Sequence, residues 1–182
     1  TFAAARAANP TRWQLVPVPP LTDPLRKPVI SSFNYVSGNN HQMFAANQNN
    51  VFNVTASIPV TVATGRGSGN YSASQMANAA GDFLIAVNDA GDPPLRFNGT
   101  AWEVLTAAYT PGAGLPSKIT GPAGTPVVNG GNLSYVCKYR NRLFFIELNS
   151  MNAWYLPLNS PGGLLAMIPL SGAATKGGKL LF

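Results

Sequence analysis

Charge is the scarcest commodity in this chain. Only 10% of its 182 residues are charged, against about 25% in a typical soluble domain. Surface polarity must therefore come from Asn, Ser, Thr and Gly, as in a secreted chain or one buried in an assembly. There is a single cysteine and a single histidine. Cys137 alone cannot form an internal disulfide, and one Cys with one His is too few for a Cys/His metal centre. Cys137 falls in an apolar run, which predicts a buried, inert thiol. Any Ser-His-Asp chemistry would have to pass through His41, which sits in the polar turn SGNNHQ. No run approaches 18 apolar residues, so no membrane-spanning helix is expected. The opening TFAAARAANP lacks the apolar centre of a signal peptide, and a processed product or a piece of a longer chain is the expectation.

What is present points to strands. Eighteen glycines and sixteen prolines leave little room for long helices and suit short strands joined by turns. Residues 1–28 form a Pro-rich, extended arm by this reading, because each proline fixes φ and removes a backbone donor. Residues 29–182 form an all-β domain. Val29–Val36 is a candidate strand. Met43–Ala46 and Val51–Val54 make a hairpin across Asn47–Asn50. Pro59–Thr64 is a short β-branched run, and GRGSGN (65–70) a flexible loop. Residues 72–80, SASQMANAA, are the one expected helix, capped by Ser72 or Ser74 and ended by Gly81. Phe83–Val87 is a buried-type strand. Leu95–Phe97 and Ala101–Leu105 flank Asn98-Gly99, the strongest short hairpin signal in the chain. Residues 109–131 read as a long loop, and Leu164–Leu170 as a last strand.

The densest pattern is YVCKYRNRLFFIELNSMNAWYLPLNSPGG, residues 135–163. Three apolar runs separated by Arg140-Asn141 and Asn149-Ser150 predict an antiparallel meander. MFAANQNNVFNVT, FLIAVNDAGDPPLRFNGTAWEVL and LFFIELNSMNAWYLPL share one plan: an apolar strand, a turn through Asn, and a second strand. Their spacing of about 40 to 60 residues falls in the range of propeller blades. The fold expectation is all-β, with antiparallel meanders forming about three to four propeller-blade-like units, as part of a larger propeller. A non-repetitive β-sandwich is the alternative.

Candidate chemistry is thin. Asp82, Asn88, Asp89 and Asp92 could offer oxygens to a cation, yet Asp-Ala-Gly-Asp-Pro is also ordinary turn chemistry. Glu103 and Glu147 are the only glutamates, and no motif pairs either as a glycosidase carboxylate. GRGSG lacks the G-K-[ST] ending of a phosphate loop. The sequons at Asn53, Asn70, Asn98 and Asn132 are explained by composition. Trp102, Trp154 and Tyr155 could stack a sugar or a base or pack within the fold. The net charge of +6 is dispersed over Arg6, Arg12, Arg26-Lys27, Lys138, Arg140, Arg142, Lys176 and Lys179. No basic tail is indicated; these cations are solvated or meet an acidic or nucleic-acid partner. No catalytic residue, metal ligand or cofactor site emerges.

Two segments carry a family resemblance. Leu84–Leu105 has the layout N-x-x-x-D-P-x-x-x-F-N-G-x-x-W, through Asn88, Asp92, Pro93, Phe97, Asn98, Gly99 and Trp102. Tyr139–Gly163 has R-L-F-F-I-E followed by W-Y-L-P and G-G, through Arg142, Leu143, Phe144, Glu147, Trp154, Tyr155, Leu156, Pro157, Gly162 and Gly163. Both resemble the tail nozzle proteins of short-tailed bacteriophages, the tail-tubular-protein-B-like class, over roughly residues 29–182. That resemblance implies a β-propeller-containing, non-enzymatic virion protein. It implies a ring of copies, usually hexameric, around the DNA exit channel, in contact with the tail adaptor and fibre proteins. Arg140 and Arg142 become candidates for contact with a neighbouring chain or with passing DNA, and loops 65–70 and 109–131 for interfaces or a channel constriction. Family chains are several times longer, and Leu180-Leu181-Phe182 reads as mid-strand. A receptor- or carbohydrate-binding β module of a fibre or secreted protein is the alternative function.

Overall fold

Short apolar runs broken by Asn, Gly and Pro give fourteen strands and no helix among the described residues, 27–170 of a computed structural model. The Pro-rich arm lies outside them except for its last two residues, as do Arg6, Arg12, Arg26, Lys176, Lys179 and the terminal Leu180–Phe182. Three antiparallel four-stranded sheets follow one another along the chain. The first holds β1 (Ser31–Ser37), β2 (Asn40–Ala46), β3 (Val51–Asn53) and β4 (Val60–Ala63). The second holds β5 (Tyr71–Asn78), β6 (Gly81–Asn88), β7 (Leu95–Phe97) and β8 (Trp102–Val104). After β9 (Ile119–Thr120), the third holds β10 (Leu133–Tyr139), β11 (Arg142–Glu147), β12 (Asn152–Tyr155) and, past β13 (Gly163–Leu164), β14 (Ala166–Pro169). β9 and β13 pair in parallel as a separate two-stranded piece.

The expected helix at 72–80 is instead β5, in register with β6 from Tyr71↔Asn88 to Asn78↔Gly81. The small residues of SASQMANAA tolerate a helix, but the apolar β6 beside them supplies a ladder and two faces to cover, and tertiary pairing overrides local propensity. Gly81, expected to end a helix, opens β6 at φ 137°. The expected strand at Leu164–Leu170 is split at Leu165 into β13 and β14.

The second sheet is covered on both faces. One face meets the first sheet, where Tyr35 and Phe44 set their rings 5.0 and 5.1 Å from Phe97 among Leu84, Leu95 and Val51. The other face sends Phe83, Ile85 and Val87 against Val136, Phe145 and Trp154 of the third sheet. Burying each such side chain contributes about 1.5–3 kcal/mol. The repeat plan is visible in this packing. Asn47 follows β2, Asn88 is the last residue of β6, and Asn149 lies two residues past β11. Four residues before them stand Met43, Leu84 and Phe145, all on the same side of their sheets; five residues before stand Gln42, Phe83 and Phe144 on the opposite side.

The first strands β1, β5 and β10 lie side by side without a shared ladder. Gln75 on β5 reaches across to β1, donating from Nε2 to the Val36 carbonyl at 2.6 Å and accepting from the Val36 N–H at 3.1 Å. Ser72 does the same on the other side, its Oγ bonding both the N–H and the carbonyl of Val136 on β10 at 3.1 Å.

Gly162 sits where the turn after β12 presses on the 109–131 segment; a Cβ there would overlap the Ser117 carbonyl oxygen. Gly162→Ala is expected to lower unfolding stability by about 1–3 kcal/mol through overpacking, measured by urea denaturation. Gly114→Ala, which has open space but φ 77°, should cost less than Gly162→Ala.

Candidate functional site

Arg96 lies on the short strand β7 between two core residues, Leu95 and Phe97. Strand alternation turns it away from them, toward the third sheet, and there it is wholly buried. Its cross-strand partner is Glu103 on β8, and its Nε donates to Glu103 Oε2 at 2.7 Å. The rest of the guanidinium gathers distant chain. Nη1 donates to the carbonyls of Ser117 at 2.8 Å and Pro161 at 3.4 Å, and Nη2 to Pro116 at 2.8 Å and to the Tyr109 hydroxyl at 3.0 Å. The Phe83 and Tyr109 rings flank it at 5.8 and 5.6 Å. Tyr109 closes the loop by donating to Glu103 Oε1 at 2.6 Å. The planar fork of arginine matches this set of acceptors in a way that lysine cannot.

A second buried arginine fixes the junction of the first two sheets. Arg66 Nε donates to the Tyr71 hydroxyl at 3.0 Å, Nη2 to the Pro93 carbonyl at 2.6 Å, and Asp92 lies 3.5 Å away. Asp92 also accepts from the Gly67 N–H and from Asn88 Nδ2, both at 2.7 Å. Loop 65–70, expected to be flexible, is thus tied down on both sides. Burial, opposed by the nearby Arg66, pushes the Tyr71 hydroxyl above its ordinary pKa, and burial followed by the bond to Glu103 does the same for Tyr109.

The family-like residues take turn and packing positions. Asn88 is buried and bonds the Ser68 carbonyl and Asp92. Asn98 Oδ1 accepts from the N–H groups of Thr100 and Ala101, and Gly99 holds φ 90° against the Tyr35 hydroxyl. Phe97 and Trp102 belong to the aromatic group between the first two sheets. Leu143, Trp154 and Leu156 are core, and Glu147 accepts from Trp154 Nε1 at 2.8 Å and Asn152 Nδ2 at 3.1 Å. Pro157, Gly162 and Gly163 shape the turn into β13, where the Gly163 N–H meets the Lys118 carbonyl. Trp102 and Trp154 are therefore packing residues. Tyr155 and Phe144 are half-buried on the far face of the third sheet, their rings 6.0 Å apart.

Of the groups that could have made a catalytic or cation site, Asn88 and Asp92 meet in the hydrogen bond given above, and the others take separate positions. His41 is exposed and its Nε2 lies 3.1 Å from the Gly38 carbonyl. Asp82 bonds Ser37 at one end of β6, while Asp89 accepts from Asn70 at the other. Among the described residues no three His, Cys, Asp or Glu side chains gather as a metal site. Cys137 is exposed rather than buried. In β10 the core-facing positions are Leu133 and Val136, and Cys137 points to the opposite face, which none of the described sheets covers.

The exposed basic feature is the β10–β11 hairpin. Arg140 and Asn141 take the left-handed backbone of a tight turn at φ 46° and 56°. Arg140 lies 5.3 Å over the Tyr139 ring and Arg142 4.9 Å over Tyr155. Neither meets a carboxylate at ion-pair distance among the described residues. The sequence reading singled out these two arginines and passed over Arg66, Arg96 and Tyr109. The Arg96–Glu103 pair was available from the Asn98-Gly99 hairpin, because the two stand opposite in its register. No family model, curated protein or solved structure matches the chain.

Truncating Arg96 to Ala strands a largely buried Glu103 carboxylate and several carbonyls, and an expected loss of about 3–5 kcal/mol follows, read as a lower urea midpoint. Stability should also fall in alkali. Both raised tyrosines hold their protons more tightly when folded, so their contribution is complete below the unfolded value of about 10 and is lost as pH rises through the folded value. A Tyr71→Phe, Tyr109→Phe double variant should show a shallower decline above pH 10 in unfolding titrations.

Proposed function

We propose that the chain is a structural, non-enzymatic part of a bacteriophage tail, an element of the nozzle ring around the DNA exit channel. The observation that carries the reading is where the family-like residues fall. They close turns and fill the packing between successive four-stranded meanders, as a scaffold motif should, and none of them gathers around a reactive centre. We read the three meanders as consecutive propeller blades. The lateral contact of their first strands β1, β5 and β10 supports this, since the first strands of propeller blades surround the central channel. The partners in this reading are further copies in a ring, hexameric in the family, with the tail adaptor, fibre proteins and, transiently, viral DNA. The location is the virion.

The role of the wall is mechanical. Segment 109–131 is held by Arg96 and by parallel pairing with β13, which suits a fixed interface or constriction. The Arg140–Arg142 hairpin supplies uncompensated positive charge for a phosphate backbone.

Electron microscopy of purified tails, with the chain identified by mass spectrometry, should place it in the distal ring; its absence from intact virions would end this reading. The DNA contact has its own check. An Arg140→Ala, Arg142→Ala double variant should bind duplex DNA more weakly at low salt, with the slope of log K against log salt reduced by about 2. Unchanged slope and affinity would remove the hairpin from the channel wall.

A further inference from the structure

The register of the first sheet sets Phe44 opposite Asn53, and Asn53 opposite Val60. Phe44 is core, but its two neighbours on that face are not, and here the sheet forms an open groove of about 520 Å³. Small-ligand sites span roughly 300–1,000 Å³. Part of the lining is a row of three side-chain amides. Asn53 Nδ2 donates to Gln42 Oε1 at 2.9 Å, and Gln42 Nε2 to Asn40 Oδ1 at 3.1 Å. Both ends of the row are anchored. Asn40 Nδ2 donates to the Gly99 carbonyl and Asn53 Oδ1 accepts the Thr55 N–H, each at 2.9 Å. The apolar part of the lining is Ile58, 76% exposed, Val60, 60% exposed, and the partly buried Val62. No Lys, Arg, Asp or Glu lines the groove. We propose that it binds a neutral oligosaccharide.

Hydrogen-bonding capacity selects this ligand class. Each amide of the row uses one N–H and one lone pair, and retains one of each. Because the row runs head to tail, it also fixes which end of every amide is nitrogen and which is oxygen. Donors and acceptors thus stand side by side in a set order. A sugar hydroxyl is itself both donor and acceptor, so neighbouring hydroxyls match neighbouring amide ends. An extended peptide matches less well. On one side its polar groups recur only every second residue, roughly 6.8 Å apart, whereas the touching atoms of adjoining amides lie 2.9–3.1 Å apart. Ile58 and Val60 suit the C–H faces of sugar rings, whose burial contributes the apolar share of binding. Phosphate and carboxylate ligands lack a partner, since His41 is the sole titratable group in the lining. The site is also set in advance. Thr55 Oγ1 accepts the Met43 N–H at 2.9 Å, which ties the loop after β3 back to β2 and lowers the ordering cost of binding.

The groove lies on the first sheet, away from the Arg140–Arg142 hairpin, and its binding does not depend on the virion reading or on a ring. Saturation-transfer NMR on the full chain tests it, with neutral hexasaccharides of the α-glucan, β-glucan, mannan and chitin types as probes. At least one should receive saturation at its ring C–H protons, with a dissociation constant of about 1 mM or tighter. Its affinity should be the same at low and high salt. Gln42→Met, which breaks the row, and Ile58→Asp should each weaken binding by about tenfold or more. Ile58 is so exposed that its replacement should leave the urea midpoint unchanged, which separates lost binding from lost folding. Met43→Ala, outside the groove lining, should bind as the native chain does. The proposal is overturned if none of the four sugars binds, or if binding survives Ile58→Asp undiminished. It is also overturned if Met43→Ala abolishes binding, if salt weakens it, or if the groove takes a hexapeptide of alternating Val and Thr and none of the sugars.

Discussion

A fully buried cation holds the centre of this fold. Removing a guanidinium from water costs several kcal/mol unless its donors are met, and Arg96 meets that requirement only by collecting acceptors from three places at once. Glu103 comes from the neighbouring strand, Tyr109 and the Pro116–Ser117 carbonyls from a segment with almost no ladder of its own, and Pro161 from the turn after β12. The 109–131 segment is ordered because it is needed there. The same demand fixes the turn that carries Gly162 and starts β13, and so sets how the third sheet leans on the second. Arg66 repeats the device at the other junction with Asp92, Tyr71 and Pro93. A chain with so few charges places two of them where they join sheets.

Much of this architecture was legible in the sequence and some of it was not, for identifiable reasons. The Asn98-Gly99 hairpin, the Asn47–Asn50 turn and the 135–163 meander were readable because turn chemistry and apolar runs are local signals. Residues 72–80 misled because small and polar residues suit both helix and strand; the deciding partner, β6, lies outside the window. Cys137 misled because an apolar run does not reveal which side of the sheet each residue takes, and β10 has a register shift between Leu133 and Tyr135. Loop 65–70 read as flexible and 109–131 only as a long loop, because their order comes from side chains far away along the chain. Of the site, the stacked arginines of the β10–β11 hairpin were visible as basic residues in a turn. Arg96 was visible only to a reading that completed the hairpin register and asked what faced it.

The distribution of polar groups bears on function. The described carboxylates are engaged by arginines, by turn amides or by donors such as Trp154 and Ser37, and they serve sheet junctions and turns. Asparagine performs the remaining polar work through side-chain acceptors inside turns, as at Asn47 and Asn98. This is how a nearly uncharged chain satisfies its backbone without exposing apolar strands at every bend. Among the described residues, Lys138, Arg140 and Arg142 bring three cations together at one hairpin.

The side-chain stitches between first strands carry a mechanical consequence. Neighbouring sheets here share no backbone ladder; Gln75 and Ser72 each occupy a donor and an acceptor that a further strand would otherwise take. The strand edges are thereby blunted against edge-to-edge aggregation. The sheets also remain separate leaves. Force that spreads them loads a few side-chain bonds and the packed aromatics between leaves, while each leaf keeps its own ladder intact.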